Sequence, residues 1–119
     1  MPTIQPMLMT ADVARLTAFY TQVFGATETS REPAEGDVFY VGLKIGDSEF
    51  GIVSEPQMPA GEPGRVLLAI EVADADVTAV KVEAAGGKVL GPANDMPWGQ
   101  RVAHAQDPDG TTLNLTQNL

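Results

Sequence analysis

The chain has 119 residues, 7 Lys+Arg against 16 Asp+Glu for a formal net charge of −9, no Cys and one His. Without Cys there is no disulfide framework, thiolate metal site or thiol nucleophile, and one His excludes any site that takes two imidazoles from one chain. An acidic chain with few, scattered basic residues does not suit a phosphate backbone, so nucleic acid is not an expected partner; 44% hydrophobic and 19% charged residues suit a single globular domain.

The opening MPTIQPMLM lacks the basic and apolar stretches of a secretion signal, and no apolar run approaches the roughly 20 residues that span a bilayer. The expectation is a cytoplasmic protein with no membrane partner. From Thr3 to Thr10 apolar Ile4, Pro6 and Leu8 alternate with Gln5, Met7 and Met9, which predicts a strand, and Pro6 places it at an edge or a bulge. Thr10-Ala11-Asp12 reads as a helix start, and Val13, Leu16, Phe19, Tyr20 and Val23 recur at helical spacing until Gly25. Strands are expected over 26–31, 38–45 and 49–53, the last two joined by a turn at Gly46-Asp47-Ser48. The stretch SEPQMPAGEPG over 54–64 holds three Pro and two Gly and reads as a linker.

The pattern then restarts. A strand is expected over 66–72 and a helix over 74–85, with Val77, Val80 and Ala84 on one face and Gly86-Gly87 as its stop. Strands over 88–91, 100–106 and 111–116 follow, the last two joined by the turn Asp107-Pro108-Asp109-Gly110. Each half therefore reads β-α-β-β-β. Asp12 to Asp74 is 74 − 12 = 62 residues and Gly25 to Gly87 is 87 − 25 = 62, a constant offset that argues for duplication. The expected organisation is a single α+β domain over 1–119: module one 1–56, linker 57–64, module two 65–119.

The residues so placed resemble the vicinal oxygen chelate superfamily, which holds glyoxalase I, extradiol dioxygenases, fosfomycin-resistance proteins and bleomycin-resistance-type drug-binding proteins. The resemblance rests on Asp12 with Ala18-Phe19-Tyr20 and Val23-Phe24-Gly25, on Val72-x-Asp74 and Ala84-Ala85-Gly86-Gly87, and on Pro97-Trp98-Gly99-x-Arg101 leading to Asp107-Pro108-Asp109-Gly110-Thr111. It implies two modules forming a half-barrel cleft, paired in a homodimer, with up to four divalent-metal ligands drawn from the first and last strand of each module. The corresponding residues here are Gln5, Gly51, Leu67 and Asn114. Gly51 and Leu67 carry no donor, and the neutral carbonyls of Gln5 and Asn114 do little to offset a divalent ion's lost hydration, so no metal or other cofactor is expected.

What remains is a small-molecule pocket. Alternation places Gln5, Met7, Met9, Tyr40, Leu67, Ala69, Thr112, Asn114 and Thr116 on the cleft face. Trp98, between Pro97 and Gly99, is placed to stack on a planar ligand, with the loop 55–63 as a lid. His104 shares a face with Val102 and Gln106 and stands away from all four ligand positions; it is a candidate hydrogen-bond partner. The expected ligand-binding set is Gln5, Met7, Tyr40, Leu67, Trp98, His104 and Asn114. The favoured function is metal-independent sequestration of a hydrophobic or aromatic compound, an antibiotic among the candidates, and the acidity leans toward cationic ligands. The alternatives are a glyoxalase-like lyase or isomerase or a dioxygenase-related enzyme, and a non-catalytic structural or regulatory dimer.

Overall fold

The structure, a computed structural model, describes residues 4–33, 35–61 and 63–119, so Thr3 and Glu62 of the expected strand and linker lie outside the described residues. The architecture is mixed α+β, with two helices and two sheets, in the order the duplicated pattern predicts. The chain divides into two compact units, Met1–Ala60 and Gly61–Leu119.

In the first unit β1 (Met7–Thr10), α1 (Val13–Phe24), β2 (Thr27–Glu32), β3 (Tyr40–Ile45) and β4 (Ser48–Ser54) form one helix on a four-stranded sheet of order β1-β4-β3-β2. The first strand begins four residues later than expected. Pro6 stands just before it on an edge strand, accepting from Gly51 N–H through its carbonyl, the one backbone hydrogen bond a proline can still make. Asp12 caps α1 by accepting from Arg15 N–H at 3.0 Å, and Gly25 ends the helix at φ 68°, a left-handed conformation that suits glycine. The β3–β4 turn is tighter than expected, two residues, because Ile45 pairs with Ser48 and Gly46 supplies the positive φ of 58° that such hairpins require.

The helical spacing of Leu16, Phe19, Tyr20 and Val23 does what it predicts, burying all four against Val41, Leu43, Phe50 and Ile52. Tyr20, fully buried, lies 5.1 Å from Phe19, 5.9 Å from Phe24 and 5.2 Å from Phe50 between ring centroids, edge-on to Phe19 and Phe50 and stacked on Phe24. This aromatic cluster pins the helix to one face of the sheet and leaves the other face open.

In the second unit β5 (Leu67–Glu71), α2 (Ala75–Ala84), β6 (Lys88–Val89), β7 (Asn94–Asp95), β8 (Gln100–Gln106) and β9 (Thr112–Asn118) give a sheet of order β5-β9-β8-β6, with β7 also on β8. As in the first unit, the first strand runs parallel to the last. Two expectations change. β7 adds a strand to the expected module, a two-residue hairpin partner too short and polar to show a period. The buried face of α2 is Ala75, Thr78 and Val82, while Val77 and Val80 are 50% and 69% exposed and Ala84 is exposed too. The small side chains of Ala75 and Thr78 let the helix approach the sheet, and the Thr78 hydroxyl is satisfied by donating to Asp74 C=O at 2.8 Å. Beyond Ala84, Gly86 N–H donates to Glu83 C=O and Gly87 N–H to Val82 C=O, the pairing of a Schellman stop.

The Asp107–Gly110 stretch is a turn, as expected: the Asp107 carboxylate accepts from Asp109 N–H at 2.9 Å and Thr111 N–H at 3.0 Å. Asp76, on the first turn of α2, accepts two bonds from Arg101, whose remaining nitrogen donates to Asp95. Those bonds hold the Asp76 carboxyl below its ordinary range, so the link adds stability above that range and loses it as pH falls through it.

Two outcomes follow from this packing. Tyr20→Ala leaves a cavity among three rings and costs about 3–5 kcal/mol in urea unfolding. Asp76→Asn lowers stability near neutral pH by a small, salt-screened amount, and the difference from the parent chain shrinks in unfolding curves recorded as the pH falls below the ordinary carboxylate range.

Candidate functional site

Residues paired in register share a sheet face, so the open face of the first unit can be read off the ladders. It carries Met7 and Met9 from β1, Gly51 and Val53 from β4, Tyr40 and Gly42 from β3, and Ser30 from β2. Gly42 and Gly51 are direct partners across β3 and β4. A Cβ at Gly51 would lie 2.7 Å from Tyr40 Cε1 and from the Sδ and Cε of Met7, and one at Gly42 would lie 3.1 Å from the Tyr40 hydroxyl. The Tyr40 ring therefore lies against Gly51 with its hydroxyl reaching toward Gly42, the Met7 thioether shares the space over Gly51, and the Ser30 and Thr29 hydroxyls, 2.7 and 2.8 Å from a Cβ at Gly42, take the space over that residue. Gln5 Nε2 donates to the Tyr40 hydroxyl at 3.4 Å. Three of the expected ligand-binding residues, Gln5, Met7 and Tyr40, are thus brought together around Gly51.

The open face of the second unit runs in rows. Leu67, Thr112 and Gln106 make one row, Ala69, Asn114 and His104 the next, then Glu71, Thr116 and Val102, and last Asn118 with Gln100. Ala103, Ala105, Leu113 and Leu115 are fully buried on the opposite face, which fixes His104 on the open one. His104 is not remote from the four family positions: the antiparallel register sets it directly opposite Asn114, with Nδ1 2.8 Å from Asn114 Oδ1. With that carbonyl as acceptor, Nδ1–H is the donor of the bond and Nε2 is the ring nitrogen left for a further contact. Leu67, 50% exposed, stands one row from this pair.

Trp98 lies apart from His104. It sits at the tip of the β7–β8 hairpin, next to Gln100, which is four residues along β8 from His104, roughly 13 Å at strand rise. In the loop expected to act as a lid, Glu55 N–H donates to Thr10 C=O and Gly61 N–H to Asp109 C=O. Three residues outside the expected set, Glu71, Gln100 and Asn118, join Trp98 in a hydrogen-bonded chain. Period-2 spacing from Ala69 places Glu71 on this face, but its bond to Asn118, 47 residues away, has no local signature.

The family positions do not fit a divalent ion. Gly51 has no donor and its space is taken by a ring and a thioether, Leu67 has no donor, and Asn114 is engaged by His104. Among the described residues no group of three or more His, Asp or Glu side chains is arranged to hold a metal, and no helix is long and apolar enough to cross a membrane.

The sequence matches the model of the family described as Glyoxalase/Bleomycin resistance protein/Dioxygenase superfamily over residues 4–115. A Mycobacterium bovis protein named "Putative glyoxylase CFP32" is 43% identical over 98 residues, 82% of this chain and 37% of that protein, so the chain spans little more than a third of that curated relative. Among solved structures, a glyoxalase/bleomycin resistance protein/dioxygenase family enzyme from Burkholderia phytofirmans superposes with a TM-score of 0.78 at 22% identity, covering 95% of both chains. The fosfomycin resistance protein FosX of Mesorhizobium loti does so with a TM-score of 0.73 at 20% identity, covering 99% of this chain and 92% of that one. At these identities the two structures establish likeness of fold.

Gly51→Ala tests the covered floor. On an unobstructed strand, alanine in place of glycine gains roughly 0.5–1 kcal/mol, whereas overlap with packed neighbours costs about 1–3 kcal/mol. The single variant is expected to lose stability in denaturant unfolding, and the same change made in a Met7→Ala, Tyr40→Ala background is expected to gain it.

Proposed function

The chain belongs to the Glyoxalase/Bleomycin resistance protein/Dioxygenase superfamily, and from that premise we propose that it binds and sequesters a planar hydrophobic or aromatic small molecule without a metal, as a homodimer. The observation that carries the reading is the Tyr40 ring lying against Gly51. Where relatives with metal place a ligand residue, this chain places an aromatic surface backed by sheet. A ring held in this way loses little freedom on stacking, and Met7 and the half-exposed Met9 offer a polarizable rim that adapts to a flat ligand. The Gln5 amide and Tyr40 hydroxyl supply the few polar tips that orient such a ligand. Resistance to an antibiotic by sequestration is the biological role this chemistry suits. The exposed Val77 and Val80 of α2 offer apolar surface to a second copy.

A second reading, an acid–base lyase or isomerase, is favoured by one observation, the His104–Asn114 pair. Asn114 fixes the imidazole so that Nε2 is free to take a proton from a substrate carbon or hydroxyl.

Titration with a panel of planar aromatic antibiotics, followed by calorimetry in the presence of a chelator, separates the readings. Micromolar binding that weakens about 3–10-fold in Tyr40→Ala, on the order of 0.5–1.5 kcal/mol, supports sequestration. Binding that appears only with added divalent metal, or that ignores Tyr40→Ala, overturns it. Turnover of methylglyoxal–thiol adducts that is lost in His104→Ala establishes the second reading.

A further inference from the structure

The β2–β3 ladder shifts register between Glu28 and Ser30, so Thr29 has no partner of its own and Ser30 pairs with Gly42. In a regular strand the side chains of Thr29 and Ser30 would point to opposite faces. Here both hydroxyls reach the open face, 2.8 and 2.7 Å from where a Gly42 Cβ would stand, and the Tyr40 hydroxyl lies 3.1 Å from the same point. Gly42 is buried beneath them, while Thr29 and Ser30 are exposed. A bulge on one strand and a missing side chain on the next thus gather three hydroxyl oxygens in one place.

Among the described residues the Thr29 and Ser30 hydroxyls have no hydrogen-bond partner, and the Tyr40 hydroxyl accepts one bond, from Gln5 Nε2 at 3.4 Å, and donates none. All three protons are therefore free for a ligand. The charges on this face do not favour an anion. Lys44 stands one row toward the β3–β4 turn with Glu49 opposite it, and Glu32 stands opposite Tyr40 in the row on the other side. Arg31 pairs with Val41 on the opposite face and is held by Glu28. One cation between two carboxylates, in a chain of net charge −9, offers an anion no net attraction. A carbonyl oxygen fits better: it is uncharged, has two lone pairs and brings no proton to compete with the three already there.

Gly42 and Gly51 are register partners, so the hydroxyls and the aromatic floor over Gly51 stand one strand spacing apart, roughly 5 Å. That span matches an oxygen fixed to the ring system of a ligand, not one on a flexible tail. We propose that the Thr29, Ser30 and Tyr40 hydroxyls form a carbonyl subsite and that the ligand is a planar aromatic ketone, its rings on Tyr40 and Met7 and its oxygen over Gly42. This assignment rests on the reading of the chain as a binder of planar compounds and adds the chemical class of ligand.

Fluorenone and fluorene, both planar and differing by a carbonyl in place of a methylene, test it by equilibrium dialysis against the full chain. Fluorenone is expected to bind about 5–10-fold tighter, because a methylene over Gly42 leaves desolvated hydroxyls without a partner. Its carbonyl stretching band, followed by infrared difference spectroscopy, is expected to move to lower frequency on binding, since hydrogen bonds to the oxygen weaken the C=O bond. In the double variant Thr29→Val, Ser30→Ala the preference falls to within about 2-fold and the band shift is lost. Tyr40→Phe, which keeps the ring, lowers the preference and the shift in the same direction, and Lys44→Gln changes neither. Equal binding of the two compounds to the parent chain, a preference that survives both hydroxyl variants, or one that is lost in Lys44→Gln overturns the subsite. If planar compounds bind and Tyr40→Ala weakens them all while ketones gain nothing, the sequestration reading stands and this subsite falls. If no planar compound binds, the sequestration reading itself falls.

Discussion

Two glycines facing each other across β3 and β4 are the constraint on which the first unit's open face depends. Gly42 and Gly51 remove the side chains from one register pair; the Tyr40 ring and Met7 thioether lie in the space over Gly51, and the Ser30, Thr29 and Tyr40 hydroxyls gather over Gly42. Glycine inside a strand weakens it by roughly 0.5–1 kcal/mol relative to alanine, so two in register are a local cost. The cost is offset on the other face of the same strands, where Val41, Leu43, Phe50 and Ile52 pack on the aromatic cluster of α1. One face of the sheet supplies stability, and the other is left open.

The second unit repeats the strand order and fills its open face differently. Where the first has glycine, methionine and tyrosine, the second has histidine, two asparagines, threonines and a glutamate, so one frame carries an apolar platform and the other a polar ladder. Position 51 and its counterpart 114 illustrate the divergence. One has no side chain, and the other carries a neutral amide bonded to an imidazole. Among the described residues these positions offer a divalent ion no donor set, and the same strands carry the candidate site's side chains.

The fold was largely legible because its signals are local. Asp12, the helical spacing of α1 and Gly25 specify one helix, and the offset of 62 residues exposes the repeat. The face of α2 was not legible: Val77, Val80 and Ala84 share a stripe, but the narrow side chains of Ala75 and Thr78 permit closer packing, and the Asp74 carbonyl satisfies the hydroxyl that spacing alone would place in solvent. The site was legible residue by residue and not as geometry. Alternation placed Gln5, Met7, Tyr40 and Asn114 on the open faces, while the ring over Gly51, the contact of His104 with Asn114 and the chain from Trp98 to Glu71 depend on cross-strand register. Register is set by turns and packing of the whole sheet, and a single slip would reverse every one of these contacts.

The most direct test of the central claim, that Tyr40 and Met7 form the binding floor, is the set of intermolecular nuclear Overhauser effects from a saturating planar ligand to the chain's methyl and aromatic protons. The account predicts contacts to the Met7 ε-methyl and the Tyr40 ring protons, with an upfield shift of the methyl under the ligand's ring current. A bound ligand whose contacts avoid both residues, with the Met7 and Tyr40 signals unmoved at saturation, would contradict it.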